Sequence, residues 1–259
     1  MRILFIGDVV GQGGIDACTS RLPALRKELK LDGIVVNGEN AVNGRGLTPA
    51  VTDELFRAGA DMITGGNHIW HFKEIEEYME HESRLLRPAN YRNAAGHGAY
   101  SVRLQSGHTL GVIHVEGLVF MRSLACPFET IEKEIKAMGP VDGILVDVHA
   151  EATSEKQAIG WHFDGRVAAV VGTHTHVPTA DERILPRGTA FITDVGMTGP
   201  YDSVIGMDCQ AAIKRLRSQR RGRHLMARNN VKLCGVIIEI DPKTGRSKSI
   251  ERLMEDIPT

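Results

Sequence analysis

The chain reads as an α/β protein whose strands end in cation-binding side chains. Short, fully apolar runs recur at residues 3–6, 34–36, 144–146 and 167–171, bounded by glycine or polar residues as buried strands are. Helical stretches separate several of them, the alternation that builds parallel sheets. The runs finish on Asp8, Glu39-Asn40, Asn67-His68, His149 and His174/His176.

Taken in order, Ile3 to Ile6 form the first strand, ended by Gly7-Asp8. Val9 to Gly14 reads as a glycine-rich loop opening a helix through Leu22, Leu25 and Leu29. Its Gly11-x-Gly13-Gly14 lacks the third glycine of a dinucleotide fingerprint, leaving either an anion-facing turn or a plain strand-to-helix turn. Gly33 to Asn37 is the second strand, ended by Gly38-Glu39-Asn40. After the loop 43–47, Thr48 suits an N-cap and Pro49 the first helical position. The run 60–64 delivers Gly65-Gly66-Asn67-His68, where paired glycines let the backbone approach a neighbour closely. A charged helix over about 72–80 follows, with Glu74, Glu76, Glu77 and Glu80 as its solvated face.

Alternation at 99–104 and 109–115 around Ser106-Gly107 predicts an antiparallel hairpin. A helix from Pro127 to Met138 precedes strands at 143–149, 167–172 and 189–194. A basic helix near 211–217 and two strands, 233–240 and 248–253, joined by a turn at 241–245, finish the chain. With no repeat, linker or low-complexity tract, one domain over residues 1–259 is expected.

A formal net charge of −1 gives no global field for nucleic acid or anionic membrane. Nothing approaches the roughly 18 consecutive apolar residues of a membrane span, and Met1-Arg2 leads straight into a strand rather than a secretion signal. Cys18, Cys126, Cys209 and Cys234 lie far apart and read as small core hydrophobes. These features predict a soluble cytoplasmic protein with no membrane partner. Trp70 and Trp161 are expected in the core. Segments 87–91 and 198–201 read as pocket linings or as rigid loops. The basic run Lys214-Arg215-Leu216-Arg217 and Arg220-Arg221-Gly222-Arg223 reads as a solvated face, or as a contact for RNA phosphates or a subunit neighbour.

In open α/β sheets, ligands sit outside the carboxyl ends of the strands. If the strands share a sheet, the polar residues converge on one edge. Two carboxylates, three imidazoles and two amide oxygens suit a pair of borderline transition metals such as Mn²⁺, Fe²⁺ or Zn²⁺, and suit Ca²⁺ poorly. Taken singly, Asp8 is as well explained as a helix cap, Glu39-Asn40 as a polar turn and His149 as a core histidine. His174-Thr175-His176 has little structural use, and the joint recurrence favours a site.

Asp8, Gly66-Asn67-His68, His149 after a strand, and Gly172-x-His174-x-His176 occur in an order that resembles the calcineurin-like metallophosphoesterases. That superfamily usually shows Asp-x-His and Gly-Asp where this chain has Val10 and Gly38-Glu39-Asn40. These departures, with stretches 149–156, 172–179 and 193–200, resemble the YmdB-like subfamily over essentially the whole chain.

The resemblance implies a four-layer α/β/β/α sandwich with a di-metal phosphodiesterase site, active on cyclic nucleotides including 2′,3′-cyclic AMP and 3′,5′-cyclic AMP. It implies two divalent transition-metal ions, iron or manganese, with zinc also suited. Glu39 would bridge them. Asp8, Asn40 and His176 would complete one ion, and Asn67, His149 and His174 the other, with Asn40 replacing the missing imidazole.

Such a pair of ions polarises a phosphoryl oxygen and supplies hydroxide for in-line attack. His68 is not needed as a ligand and is placed to protonate the leaving alkoxide, or to hold the phosphate electrostatically. Breaking the 2′ bond of a 2′,3′-cyclic ester leaves a 3′-phosphate. A phosphomonoesterase or nucleotidase would use the same ions, and a non-catalytic regulator binding a nucleotide or RNA is the alternative from another class. The expected partners are a cyclic nucleotide, an RNA-related substrate and copies of the chain itself, as a dimer or tetramer.

Overall fold

The computed structural model describes residues 1–219 and 225–258. Its first half runs β1 (Arg2–Ile6), β2 (Asp8–Val9), α1 (Gly11–Glu28), β3 (Gly33–Asn37), α2 (Pro49–Arg57), β4 (Met62–Thr64), α3 (Glu74–His81) and β5 (Leu85–Leu86). Then follow β6 (Ala99–Arg103), β7 (Thr109–Glu116), α4 (Pro127–Ala137), β8 (Gly143–His149), α5 (Thr153–His162) and β9 (Ala169–Thr173). The last elements are β10 (Arg183–Ile184), β11 (Ala190–Ile192), β12 (Met197–Pro200), α6 (Cys209–Ser218), β13 (Val231–Asp241) and β14 (Arg246–Asp256).

Two sheets form. The first has the order β2-β12-β13-β1-β3-β4-β5, with β14 paired to β13; β1, β3, β4 and β5 are parallel. The second has the order β10-β11-β9-β8-β7-β6, its inner strands parallel and β6 and β10 antiparallel at the edges.

Strand parity stacks these sheets into layers. Side chains alternate across a strand, so a fully apolar strand buries both faces. On β1 and β3, Leu4, Ile6, Ile34 and Val36 meet Leu22 and Leu25 of α1, Leu55 of α2 and Ile75 of α3. Ile3, Phe5 and Val35 point the other way, onto Val112, Leu145 and Val171 of the second sheet. That sheet's outer face carries Val146, Val148 and Val170, covered by Ile131 of α4 and Ile159 of α5. The order is α/β/β/α, as the family resemblance implies.

Between the sheets the inward positions change character toward the carboxyl ends. Asn37, Thr64, His114, Glu116, Asp147, His149 and Thr173 are all buried there. Asp147 accepts hydrogen bonds from Thr64 Oγ1 (2.6 Å), Asn37 Nδ2 (3.1 Å) and Thr173 Oγ1 (2.8 Å). One carboxylate thus ties both sheets together beneath the candidate site.

Several expectations need correction. Residues 11–14 are the first turn of α1, not a loop. Gly14 is small because a Cβ there would strike the Thr198 carbonyl. Val10 occupies the N-cap position without a side-chain bond, so Asp8 caps nothing. Trp161 is 46% exposed on α5, beneath the Arg183 guanidinium, whereas Trp70 packs on the first core cluster and against Tyr91 at 4.5 Å. Residues 198–200 belong to buried β12 rather than to a loop. Thr48 does cap α2, accepting from Val51 N at 3.4 Å.

Lys214, Arg215 and Arg217 are exposed on α6; Arg220-Arg221-Gly222-Arg223 lies outside the described residues. Cys18 and Cys234 are buried, Cys126 and Cys209 partly so. No helix among the described residues is long and apolar enough to cross a membrane.

Candidate metal centre

Glu39 lies at the middle of the cluster. Only Gly38 separates it from the end of β3, and its backbone N–H is held by Asn37 Oδ1 at 3.1 Å. Its Oε1 accepts from the His68 backbone N–H (2.7 Å); its Oε2 faces His149 Nε2 (2.9 Å) and Asn40 Nδ2 (3.0 Å). Gly66 must be glycine here. A Cβ would strike the Glu39 carboxyl group and lie 2.6 Å from His149 Nε2.

One group of ligand atoms gathers around His149, at the end of β8. Its Nε2 is 3.1 Å from Asn67 Oδ1 and 3.1 Å from His174 Nδ1, besides the contact to Glu39. Ligand atoms of Glu39, His149 and His174 lie within 4.8 Å of one another. The buried ring's tautomer is set from behind. Thr173 Oγ1 gives its only proton to Asp147, so toward His149 Nδ1 (2.9 Å) it can only accept. That leaves Nε2 as the ring atom facing Glu39, Asn67 and His174, where a cation would take the place of a proton.

A second group lies on the other side of Glu39. His176 Nε2 is 3.1 Å from Asn40 Nδ2 and 3.8 Å from Asp8 Oδ1. Asp8 is fully buried; its Oδ2 accepts from His174 N–H at 3.1 Å, but Oδ1 has no hydrogen-bond partner. An unpaired buried carboxylate oxygen is costly, and a bound cation removes that cost. Carboxylate, imidazole and amide oxygen together are a donor set that fits divalent metal ions.

Charges in the cluster are strongly shifted by one another and by burial. Burial raises Asp8 to about 6 despite His176 and His149. Burial opposes both members of the Glu39–His149 pair, but their mutual attraction wins, lowering Glu39 and raising His149 to about 9. Each thereby favours the other's charged form, and a bound cation would compete with that pairing. His174 is lowered to about 3 by burial and then by His149. His68 is lowered by burial, against Glu39 and with help from Arg45.

The histidine pair of the 174–176 loop is held in an unusual backbone. His174 has φ 97° and His176 φ 66°, left-handed values rare outside glycine and found where function fixes them. Asp194 holds this loop. It accepts from Thr175 N (3.1 Å), Thr175 Oγ1 (2.8 Å), Gly196 N (2.8 Å) and the fully buried Lys156 Nζ (2.6 Å). Glu151 contacts His174 Nε2 at 3.2 Å.

The structure thus brings together Asp8, Glu39, Asn40, Asn67, His68, His149, His174 and His176. Sequence reasoning assigned no role to Thr173, Asp147, Lys156, Asp194 or Glu151, though all but Asp147 fall within the three stretches that carried the resemblance. Arg45 was also missed: it lines the site, and its side chain makes no ion pair among the described residues.

A cavity of about 320 Å³ opens over the cluster, lined by Glu39, Asn40, His68, His174 and His176 together with Arg45 and Arg215. Two larger clefts, of about 560 and 600 Å³, surround Arg87 and Tyr91 and contain none of the cluster. Segment 87–91 lines those clefts.

Residues 4–253 match the family model described as YmdB-like protein. The chain is 47% identical over 256 residues to a Bacillus subtilis protein named 2′,3′-cyclic-nucleotide 2′-phosphodiesterase, covering 98% of this chain and 97% of the relative. Among solved structures, a hypothetical protein from Thermus thermophilus superposes with a TM-score of 0.94 at 37% identity, covering all of both chains. A structure described as a novel phosphatase from Mycoplasma pneumoniae gives 0.91 at 34% identity, covering 100% of this chain and 95% of that one.

Proposed function

The chain belongs to the YmdB-like protein family, and from that premise we propose that it is a di-metal phosphodiesterase that opens nucleoside 2′,3′-cyclic phosphates at the 2′ bond. The observation that carries this reading is the pair of ligand groups meeting on Glu39, one of them containing the unpaired buried oxygen of Asp8. Asp8, Asn40 and His176 would hold one ion and Asn67, His149 and His174 the other, with Glu39 shared between the two groups. An imidazole-rich set favours iron, manganese or zinc. When bound, two such ions polarise a phosphoryl oxygen and make water nucleophilic at neutral pH.

The protein's own residues do the rest. Asn40 links the ions to His68: one end of its amide faces Glu39 and His176, the other faces His68 Nδ1 at 3.0 Å. The structure places Nδ2 at the first end and Oδ1 toward His68; with an ion held at the first end the amide would turn over, its oxygen facing the ion and its NH₂ donating to Nδ1. His68 then carries its proton on Nε2 and lines the cavity as the donor to the departing 2′ oxygen. An anionic phosphate beside it offsets the burial that lowers its pKa. Arg45, also lining the cavity, pairs with the phosphate. A 2′,3′-cyclic phosphate at an RNA end is the RNA-related form of the same substrate.

Product analysis with manganese-loaded protein tests the reading. Offered 2′,3′-cyclic AMP, 3′,5′-cyclic AMP and a phosphomonoester, the enzyme releases adenosine 3′-phosphate from the first. Cleavage of the monoester alone would make it a phosphatase, and nucleotide binding without turnover would make it a regulator.

A further inference from the structure

The turn from Val204 to Met207 has a feature that the metal centre does not explain. Ile205 sits at φ 47°, which a β-branched side chain rarely adopts, and its side chain is 52% exposed. The turn is firmly tied. Val204 and Met207 exchange backbone hydrogen bonds at 2.9 and 3.0 Å, Met207 bridges to Met226, and Ala227 N donates to Gly206 O at 3.0 Å. The Ile205 carbonyl accepts from His176 Nδ1 at 2.9 Å, which accounts for the backbone position but not for an exposed isoleucine.

Ile205, Met207 and Met226 line the same cavity as His68, His174 and His176. Cation ligation and phosphate transfer need no apolar wall. Thioethers and a branched alkyl group do suit the flat face of a heteroaromatic ring. We propose that Ile205, Met207 and Met226 form a nucleobase platform, so that the site selects nucleoside cyclic phosphates over base-free cyclic esters. The wall offers faces and no side-chain hydrogen-bond donors, so it recognises a base as such. This inference rests on the phosphodiesterase reading.

The test compares kcat/KM for 2′,3′-cyclic AMP and for methyl riboside 2′,3′-cyclic phosphate, in wild type, Ile205→Gly and Met226→Ala. Glycine accepts the left-handed backbone, so the first variant should fold. Calorimetry of adenosine 3′-phosphate against ribose 3-phosphate supplies a reading independent of turnover. The wild type should prefer the nucleotide by about tenfold or more, and each variant should lose about tenfold of that preference, with a matching loss of affinity for adenosine 3′-phosphate. Equal use of both esters by the wild type, or an unchanged preference in the variants, would overturn the platform. If neither ester is hydrolysed, the phosphodiesterase reading fails, and calorimetry still decides: adenosine 3′-phosphate binding no tighter than ribose 3-phosphate would overturn the platform too.

Discussion

Asp8 is the residue at which stability and function pull hardest against each other. Its carboxyl group is buried, one oxygen is unpaired, and its pKa rises from 3.8 to about 6. A raised acid favours the fold below pH 3.8 and loses that advantage as pH climbs through 6. At neutral pH the metal-free protein therefore bears the cost of the charge. Asp8→Asn should stabilise the metal-free protein at pH 7 by up to about 3 kcal/mol in urea titrations, while weakening metal binding. Unchanged or lower stability would show that the charge is already compensated. His68 invites a different measurement. His68→Ala should lower kcat for 2′,3′-cyclic AMP about 10²–10⁴-fold, and cost far less with bis(p-nitrophenyl) phosphate, whose leaving group needs no proton. Equal losses on both would favour the electrostatic role. Most residues of the cluster were legible because each ends an apolar run or sits in a short histidine motif. Thr173 and Asp147 were not, since the roles they play depend on partners in other strands.

At the scale of elements, α5 escaped the sequence because its inward side is charged. Glu155 and Lys156 are both buried, so the helix lacks an apolar stripe. Each has a specific use. Glu155 accepts from Leu118 N at 2.9 Å and Val119 N at 3.2 Å, and Lys156 pairs with Asp194 at 2.6 Å. Lys156→Met would leave Asp194 charged and short of a partner, destabilising the protein by about 3–5 kcal/mol and releasing the strained 174–176 loop. A urea midpoint within experimental error of wild type would contradict this. By contrast, α2 was legible to its first residue, because Thr48 and Pro49 act through local geometry. The start of α1 was misread since Gly11, Gly13 and Gly14 look like a loop until their packing on β12, β13 and neighbouring chain is known.

The whole molecule has the two sheets that the family resemblance implies, although the apolar runs alone did not divide the strands between them. Periodicity identified most of the strands but could not apportion them, because a strand buried on both faces looks the same in either sheet. The carboxyl ends still meet, since both sheets carry polar residues at matching inward positions. Asp147 joins them: burial would raise its pKa, but His114 and the hydrogen bonds it accepts hold it below 3.8. Its stabilisation is complete above pH 3.8 and is lost as pH falls further. Asp147→Asn should accordingly flatten the fall of stability below about pH 4 in denaturant midpoints. The most direct test of the whole account is the metal content of purified protein reconstituted with manganese, for wild type beside Glu39→Gln. Two ions per chain in the wild type, and loss of both from a variant that remains folded, are expected. A single ion in the wild type, or two retained without the Glu39 carboxylate, would contradict a centre built around that residue.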